Sequence, residues 1–118
     1  QMHSRILIAG GRDFNDQDLF NRSMESASKW FAPKYCIIQG QARGADRMAA
    51  VWAFYRGVAM LAMPANWDYY DKRAGSIRNT WMLDFGLPDL LIAFPGGYGT
   101  ANMVEQTRER NIQVWEPK

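Results

Sequence analysis

Three glycine-bearing segments, two of which also carry an arginine, are the parts of this 118-residue chain best suited to chemistry. They are Gly10-Gly11-Arg12-Asp13-Phe14, Gly40-Gln41-Ala42-Arg43-Gly44-Ala45-Asp46 and Pro95-Gly96-Gly97-Tyr98-Gly99-Thr100. Glycine lets backbone N–H groups approach a phosphate closely, and the N-terminus of a following helix adds about half a positive charge. Arginine adds a planar fork that holds two phosphate oxygens at once. Each segment alone is more typical of a tight turn between a strand and a helix, but the three together favour a phosphate-binding site.

Each of these segments follows a predicted strand. Continuous apolar runs predict strands over residues 5–9, 35–39, 58–63, 90–94 and 112–115. Helical spacing of apolar residues predicts helices over about 16–32, 45–57, 76–85 and 101–110. Strands that alternate with helices form a parallel sheet covered on both faces. The expected fold is therefore α/β, a Rossmann-like doubly wound domain spanning residues 1–118, with a mainly parallel sheet of about five strands. Ligands of such sheets bind beyond the carboxyl ends of the strands.

Composition excludes several classes of protein. A hydrophobic content of 47% excludes a disordered chain, and a net charge of +2 makes duplex nucleic acid an unexpected partner. No apolar run approaches the roughly 20 residues that span a bilayer, so no membrane partner is expected. The single cysteine, Cys36, predicts an inert core residue and a cytoplasmic protein without disulfides. Neither a Cys–His cluster nor a Walker motif is present, so we expect no metal, no cofactor and no ordinary ATP hydrolysis.

Carboxylates and aromatic residues on the same loops are further candidates. Asp13 and Asp46 could act as a catalytic base or bind a ribose, although Asp13 could equally cap a turn and Asp46 could equally complement a helix dipole. Trp67 and Tyr69, which flank Asp68, could stack on a base or could simply cover the edge of the core. For each of these residues, the functional and the structural interpretation both stay open at the level of the sequence.

Five motifs resemble one known family. Gly10–Asp13, Ala42–Asp46, Pro64–Trp67, Ala74–Asn79 and Phe94–Thr100 look like the YspA/YpsA-related branch of the SLOG superfamily, in order over nearly the whole chain. The resemblance implies a Rossmann-like fold and a site for a nucleotide, or for an ADP-ribose-like or NAD-derived molecule. With the loop chemistry above, it predicts a binding set of Gly10, Gly11, Arg12, Arg43, Gly44, Asp46, Arg78, Asn79, Pro95, Gly96, Gly97, Gly99 and Thr100.

The chain departs from the superfamily pattern at two positions. The Lonely Guy phosphoribohydrolases of this superfamily carry an arginine before the fourth strand, which Arg78 matches, and a PGGxGTxxE loop whose catalytic glutamate falls here on Met103. Glu105 lies two residues later, about 200° further round a helix, and is not expected to replace that glutamate. Gln41 stands where the branch usually has glycine.

Three functions follow, in order of preference. The first is a sensor or sequestering module that binds a nucleotide-derived small molecule. The second is a hydrolase that cleaves a glycosidic or phosphoester bond of such a ligand, and the third is a single-stranded nucleic-acid binder like the related DNA-processing protein A. We also predict a homodimer, from the aromatic residues Trp52, Trp81 and Phe85 and from the dimers common among relatives.

Overall fold

The computed structural model describes residues 4–31, 34–66 and 73–118. Strands and helices alternate along the chain as the sequence predicts. The strands are β1 (Ser4–Ala9), β2 (Tyr35–Gln39), β3 (Ala59–Ala62), β4 (Leu90–Ala93) and β5 (Gln113–Trp115). The helices are α1 (Gln17–Trp30), α2 (Ala45–Arg56), α3 (Ala74–Gly86) and α4 (Tyr98–Glu109). Helix α4 begins at Tyr98 rather than at 101, because Gly99 and Thr100 form part of its first turn instead of extending the preceding loop.

The five strands form one parallel sheet in the order β3-β2-β1-β4-β5. Ile6 at the centre of β1 is paired with Ile37 on one side and with Leu90 on the other. The chain thus builds outward from β1 first in one direction and then in the other. This arrangement confirms the predicted doubly wound α/β fold. It also leaves a crevice between the carboxyl ends of β1 and β4, where helices leave the sheet on opposite faces.

Side chains of β1 point alternately into two separate cores. Ile6 and Ile8 pack against α1 and α2, in a cluster that includes Phe20 and Met24. Leu7 and Ala9 pack on the other face, in a cluster with residues of α3 and α4. Helices therefore cover both faces of the sheet, and the continuous apolar sequence of β1 is explained because every one of its central residues is buried.

The edge strand β3 departs from the expectation of strands buried on both faces. Met60 and Leu61 are each more than two-fifths exposed. Cys36, whose partner in the register is Ala59 of β3, is only half-buried rather than a full core residue. Burial nevertheless raises the pKa of the Cys36 thiol, so the unreactive protonated form is favoured.

The tryptophans occupy different environments. Trp52 of α2 is buried in the core against α1 and therefore offers little surface to a partner. Trp30 is exposed over more than half its surface but packs against Trp115, with ring centroids 4.9 Å apart. Trp81 is half-buried on α3, and Phe85 is largely exposed. Across the three described ranges, none of the helices is long and apolar enough to cross a membrane.

Candidate functional site

A cavity of about 850 Å³ lies beyond the carboxyl ends of β1 and β4, at the switch in strand order. Its walls come from the loops after these two strands and from the first turns of α3 and α4. Most of the residues predicted from the sequence line it. They are Gly10, Gly11, Arg12, Asp13, Asp46, Arg78, Asn79, Pro95, Gly96, Gly97, Gly99 and Thr100. Two predicted residues, Arg43 and Gly44, do not line it.

The loop after β1 and the loop after β4 are in direct contact at the floor of the cavity. The Gly11 N–H donates to the carbonyl oxygen of Pro95 at 2.9 Å. A Cβ on Gly96 would lie 2.6 Å from the Gly11 nitrogen and would also collide with the Thr100 side chain. Gly96 is thus glycine because two backbones and the first turn of α4 meet there. By contrast, a Cβ on Gly97 or Gly99 would meet nothing within 4 Å, so both face open space.

Arg43 and Gly44 join the loops instead of lining the cavity. Gly44 has a φ of +78° and lies against the carbonyl oxygen of Gly11, where a Cβ would collide. The same carbonyl accepts the Ala45 N–H at 3.4 Å, at the start of α2. Arg43 pairs with Asp13 at 3.5 Å, and both side chains are largely exposed. This exposed pair contributes at most about 1 kcal/mol and lies at the rim of the site.

Asp46 is buried in the first turn of α2, with 7% of its surface exposed. Its Oδ2 accepts the N–H groups of Gly40 and Ala42, both at 3.2 Å. Burial raises the pKa of Asp46, and the two backbone N–H groups together with Arg78 and Arg12 oppose that rise. Through these bonds the Asp46 carboxylate holds the loop after β2 in place, a role that neither of the two interpretations drawn from the sequence included.

Arg78 of α3 reaches across to that same loop. Its Nη1 donates to the carbonyl oxygen of Gly40 at 2.7 Å, and its Nε donates to Oδ1 of Asn79 at 3.1 Å. Its Nη2 bonds to none of the described residues. Burial lowers the pKa of Arg78, and the nearby Asp46 opposes that shift. Since arginine stays protonated in proteins, the guanidinium keeps its charge at the wall of the cavity, where Gly40 and Asn79 hold it.

Asn79 has a different role from Arg78. Its Nδ2 donates to the carbonyl oxygen of Gly99 and to Oδ1 of Asn102, at 3.1 and 3.0 Å. Gln106 continues this network, donating to the same Asn102 oxygen at 2.8 Å and accepting from Thr80. The network ties α3 to the first turns of α4. Asn79 therefore positions the glycine loop, and both polar atoms of its side chain are already hydrogen-bonded within the protein.

Met103, which stands where the Lonely Guy enzymes have their catalytic glutamate, lies at the base of the cavity. Met103 is 1% exposed and packs with Met82 and Leu91 in the core beside α3 and α4. Glu105 is exposed and lines a different cavity, on the other side of α4. Neither residue brings a carboxylate into the central cavity. Asp13, which does line it, is almost fully exposed.

The structure adds one aromatic residue that the sequence analysis left unassigned. Tyr98 is 97% exposed and lines the cavity at the start of α4. The signal in the sequence that could have identified Tyr98 is its position between two glycines of the loop after β4. Trp67 and Tyr69, the predicted stacking residues, lie outside the described residues.

The strand order and the glycine-lined crevice define a Rossmann-like α/β protein with a cavity at its switch point. Comparison with protein families gives a match over residues 4–70 to the YspA, cpYpsA-related SLOG family. The chain belongs to this family. It is also similar to the Gene 61 protein of Mycobacterium phage D29, with 30% identity over an alignment of length 117 that covers 93% of each protein. No solved structure matches the chain significantly.

Proposed function

We propose that this protein binds a nucleotide or nucleotide-derived ligand, of the ADP-ribose or NAD-like kind, in the cavity between β1 and β4, as a sensor or sequestering module. The observation that carries the proposal is the Arg78 guanidinium, which is held by Gly40 and Asn79 at the wall of a cavity rimmed by the Gly96–Thr100 loop. A fixed cation beside free backbone N–H groups at a helix N-terminus is suited to a phosphate.

Binding is favoured over hydrolysis because the carboxylates of the site are already engaged or too exposed. Of the carboxylates that line the cavity, Asp46 accepts two backbone N–H groups and Asp16 accepts the Leu19 N–H as the N-cap of α1. Asp13 pairs with Arg43 at the surface. Met103 cannot exchange a proton or stabilise a positive charge on a ribose. General acid–base assistance is worth about 10²–10⁴-fold in rate. We therefore expect release of ribose 5-phosphate from AMP to stay near background.

Titration calorimetry with AMP and ADP-ribose tests the proposal. Arg78→Ala removes the fixed cation and is expected to weaken binding by about 1.5–3 kcal/mol, the contribution of a charge-assisted hydrogen bond. Arg47→Ala is the matched control, because it also removes one positive charge but from an exposed residue of α2 that lines a different groove. Equal affinity of the two variants would remove Arg78 from the site.

Native mass spectrometry of the purified protein supplies an independent test. A retained ligand with the mass of a nucleotide derivative is the expected result, and the same spectrum reports the oligomeric state. We propose a homodimer, supported now by the exposed Phe85 and by the half-buried Trp81 rather than by Trp52. A monomer at high micromolar concentration would contradict this part of the proposal. Robust release of free base from a nucleoside monophosphate would contradict the preference for binding.

A further inference from the structure

Tyr98 is an aromatic side chain that the fold does not use. It is the first residue of α4 and is 97% exposed, while the core below α4 is filled by Met103 and Val104. Exposed aromatic residues are common on protein surfaces, so exposure alone decides nothing. The location is what matters, because Tyr98 lines the same cavity as Arg78 and the glycine loop.

The space around Tyr98 is left open by its neighbours in the chain. A Cβ on Gly97 or on Gly99 would meet no atom within 4 Å. Apart from the residues adjacent to each glycine in the chain, no side chain therefore lies against the backbone on either side of the tyrosine. A flat group that lay on the ring would meet glycine backbone there instead of colliding with side chains.

Tyr98 also stands close to the predicted phosphate position. The first turn of α4 includes Tyr98 and Thr100 and follows directly after Gly97, and no side chain of the described residues caps its N–H groups. A phosphate held at this turn leaves the rest of its ligand beside the tyrosine. In a nucleotide, the group one sugar away from the phosphate is an aromatic base, which stacks well on a tyrosine ring.

We propose that Tyr98 is the platform on which the base of the ligand stacks, and that it makes the cavity select nucleotides over sugar phosphates that lack a base. This inference rests on the proposed function and names the class of ligand for the same site. It assigns a binding role to a residue of the described loop, independently of Trp67 and Tyr69.

The test compares ligands with and without a base. Calorimetry is performed with AMP, GMP and ribose 5-phosphate on the wild-type protein and on Tyr98→Ala and Tyr98→Phe. We expect Tyr98→Ala to weaken nucleotide binding about 5- to 100-fold, the usual effect of removing one stacking ring. Binding of ribose 5-phosphate should change less than about twofold, and Tyr98→Phe should retain the wild-type affinities because the ring remains.

Tyr55→Ala is the matched control. Tyr55 is also a largely exposed tyrosine, at the end of α2, and it lines a different groove. It should leave all three affinities unchanged, and thermal unfolding should be the same for both alanine variants. An unchanged nucleotide affinity in Tyr98→Ala overturns the inference, as does an equal loss for ribose 5-phosphate, which would mean that Tyr98 only shapes the loop. In both of these cases the proposed function stands. If the wild-type protein binds none of these three ligands and does not bind ADP-ribose in the calorimetry described above, the proposed function fails, and the inference fails with it.

Discussion

Gly96→Ala is the substitution whose effect follows most directly from the contact between the two loops. The added Cβ would lie 2.6 Å from the Gly11 nitrogen and 2.9 Å from the Thr100 Cβ, and it would overlap the Thr100 hydroxyl. A rotation about χ1 could move the hydroxyl, but it would move neither the Thr100 Cβ nor the Gly11 backbone. To reach an ordinary contact of 3.4 Å, the loop after β4 must therefore move away from the loop after β1.

That movement strains the hydrogen bond from Gly11 to the carbonyl oxygen of Pro95. Overpacking of this kind costs about 1–3 kcal/mol, and we expect the free energy of unfolding to fall by that amount. Denaturant titration measures this free energy. The slope of the free energy against denaturant concentration checks that the cooperativity of unfolding is unchanged. Binding of AMP should weaken as well, because the displaced loop carries the N–H groups proposed to hold the phosphate.

Gly97→Ala is the matched control for this substitution. The residue is adjacent in the same loop, its φ of −103° is accessible to alanine, and an added Cβ would meet nothing within 4 Å. Its free energy of unfolding should stay within about 0.5 kcal/mol of the wild-type value. If Gly96→Ala were as stable as Gly97→Ala, the two loops would not be in the contact described here, and the argument for a rigid cavity floor would be refuted.

Three further substitutions test the elements around the site. Asp46→Asn keeps an oxygen for the two backbone N–H groups but removes the buried charge. Because burial raises the pKa of Asp46, the wild-type protein should lose stability as pH rises from about 4 through that raised pKa. The difference in unfolding free energy between Asp46→Asn and wild type should therefore increase with pH over this window, and a pH-independent difference would contradict the burial of the charge. Asp16→Ala removes the N-cap whose Oδ1 accepts the Leu19 N–H at 3.0 Å, and should destabilise the protein by about 0.5–2 kcal/mol in thermal unfolding, whereas the exposed Asp18→Ala should have a smaller effect. Gln41→Gly should raise the free energy of unfolding by up to about 1 kcal/mol, because Gln41 has a φ of +60° that glycine adopts without strain; a loss of stability would show that its side chain compensates for the strain.

Gln41 illustrates a point at which sequence and structure agree for a physical reason. The resemblance marks position 41 as a place where the branch usually has glycine, and the backbone there is in the left-handed region. A non-glycine residue can hold that conformation only if neighbouring contacts enforce it. Gln39 supplies one such contact, since its Oε1 accepts the Gln41 N–H at 2.5 Å.

The sequence by itself determined the strands and helices, and it predicted the end of the sheet at which the cavity lies. Apolar runs of four to six residues are buried on both faces of a parallel sheet, so β1 and β4 could be located from local pattern alone. The three glycine-bearing segments follow strands, and strands of a parallel sheet end at one edge. These properties depend on residues that are close together in the chain, which is why single-sequence reasoning reaches them.

Only the tertiary structure decided which polar side chains face the cavity. Gly44 and Arg43 belong to a predicted binding loop, yet Gly44 packs on the carbonyl oxygen of Gly11 and Arg43 extends to the surface. Asn79 turns toward α4, whereas Arg78, its neighbour in the chain, reaches Gly40. These differences depend on contacts between residues 20 to 40 positions apart, which the local pattern does not contain. The relative placement of the loops, set by strand order and helix packing, therefore decides which of the candidate residues form the site.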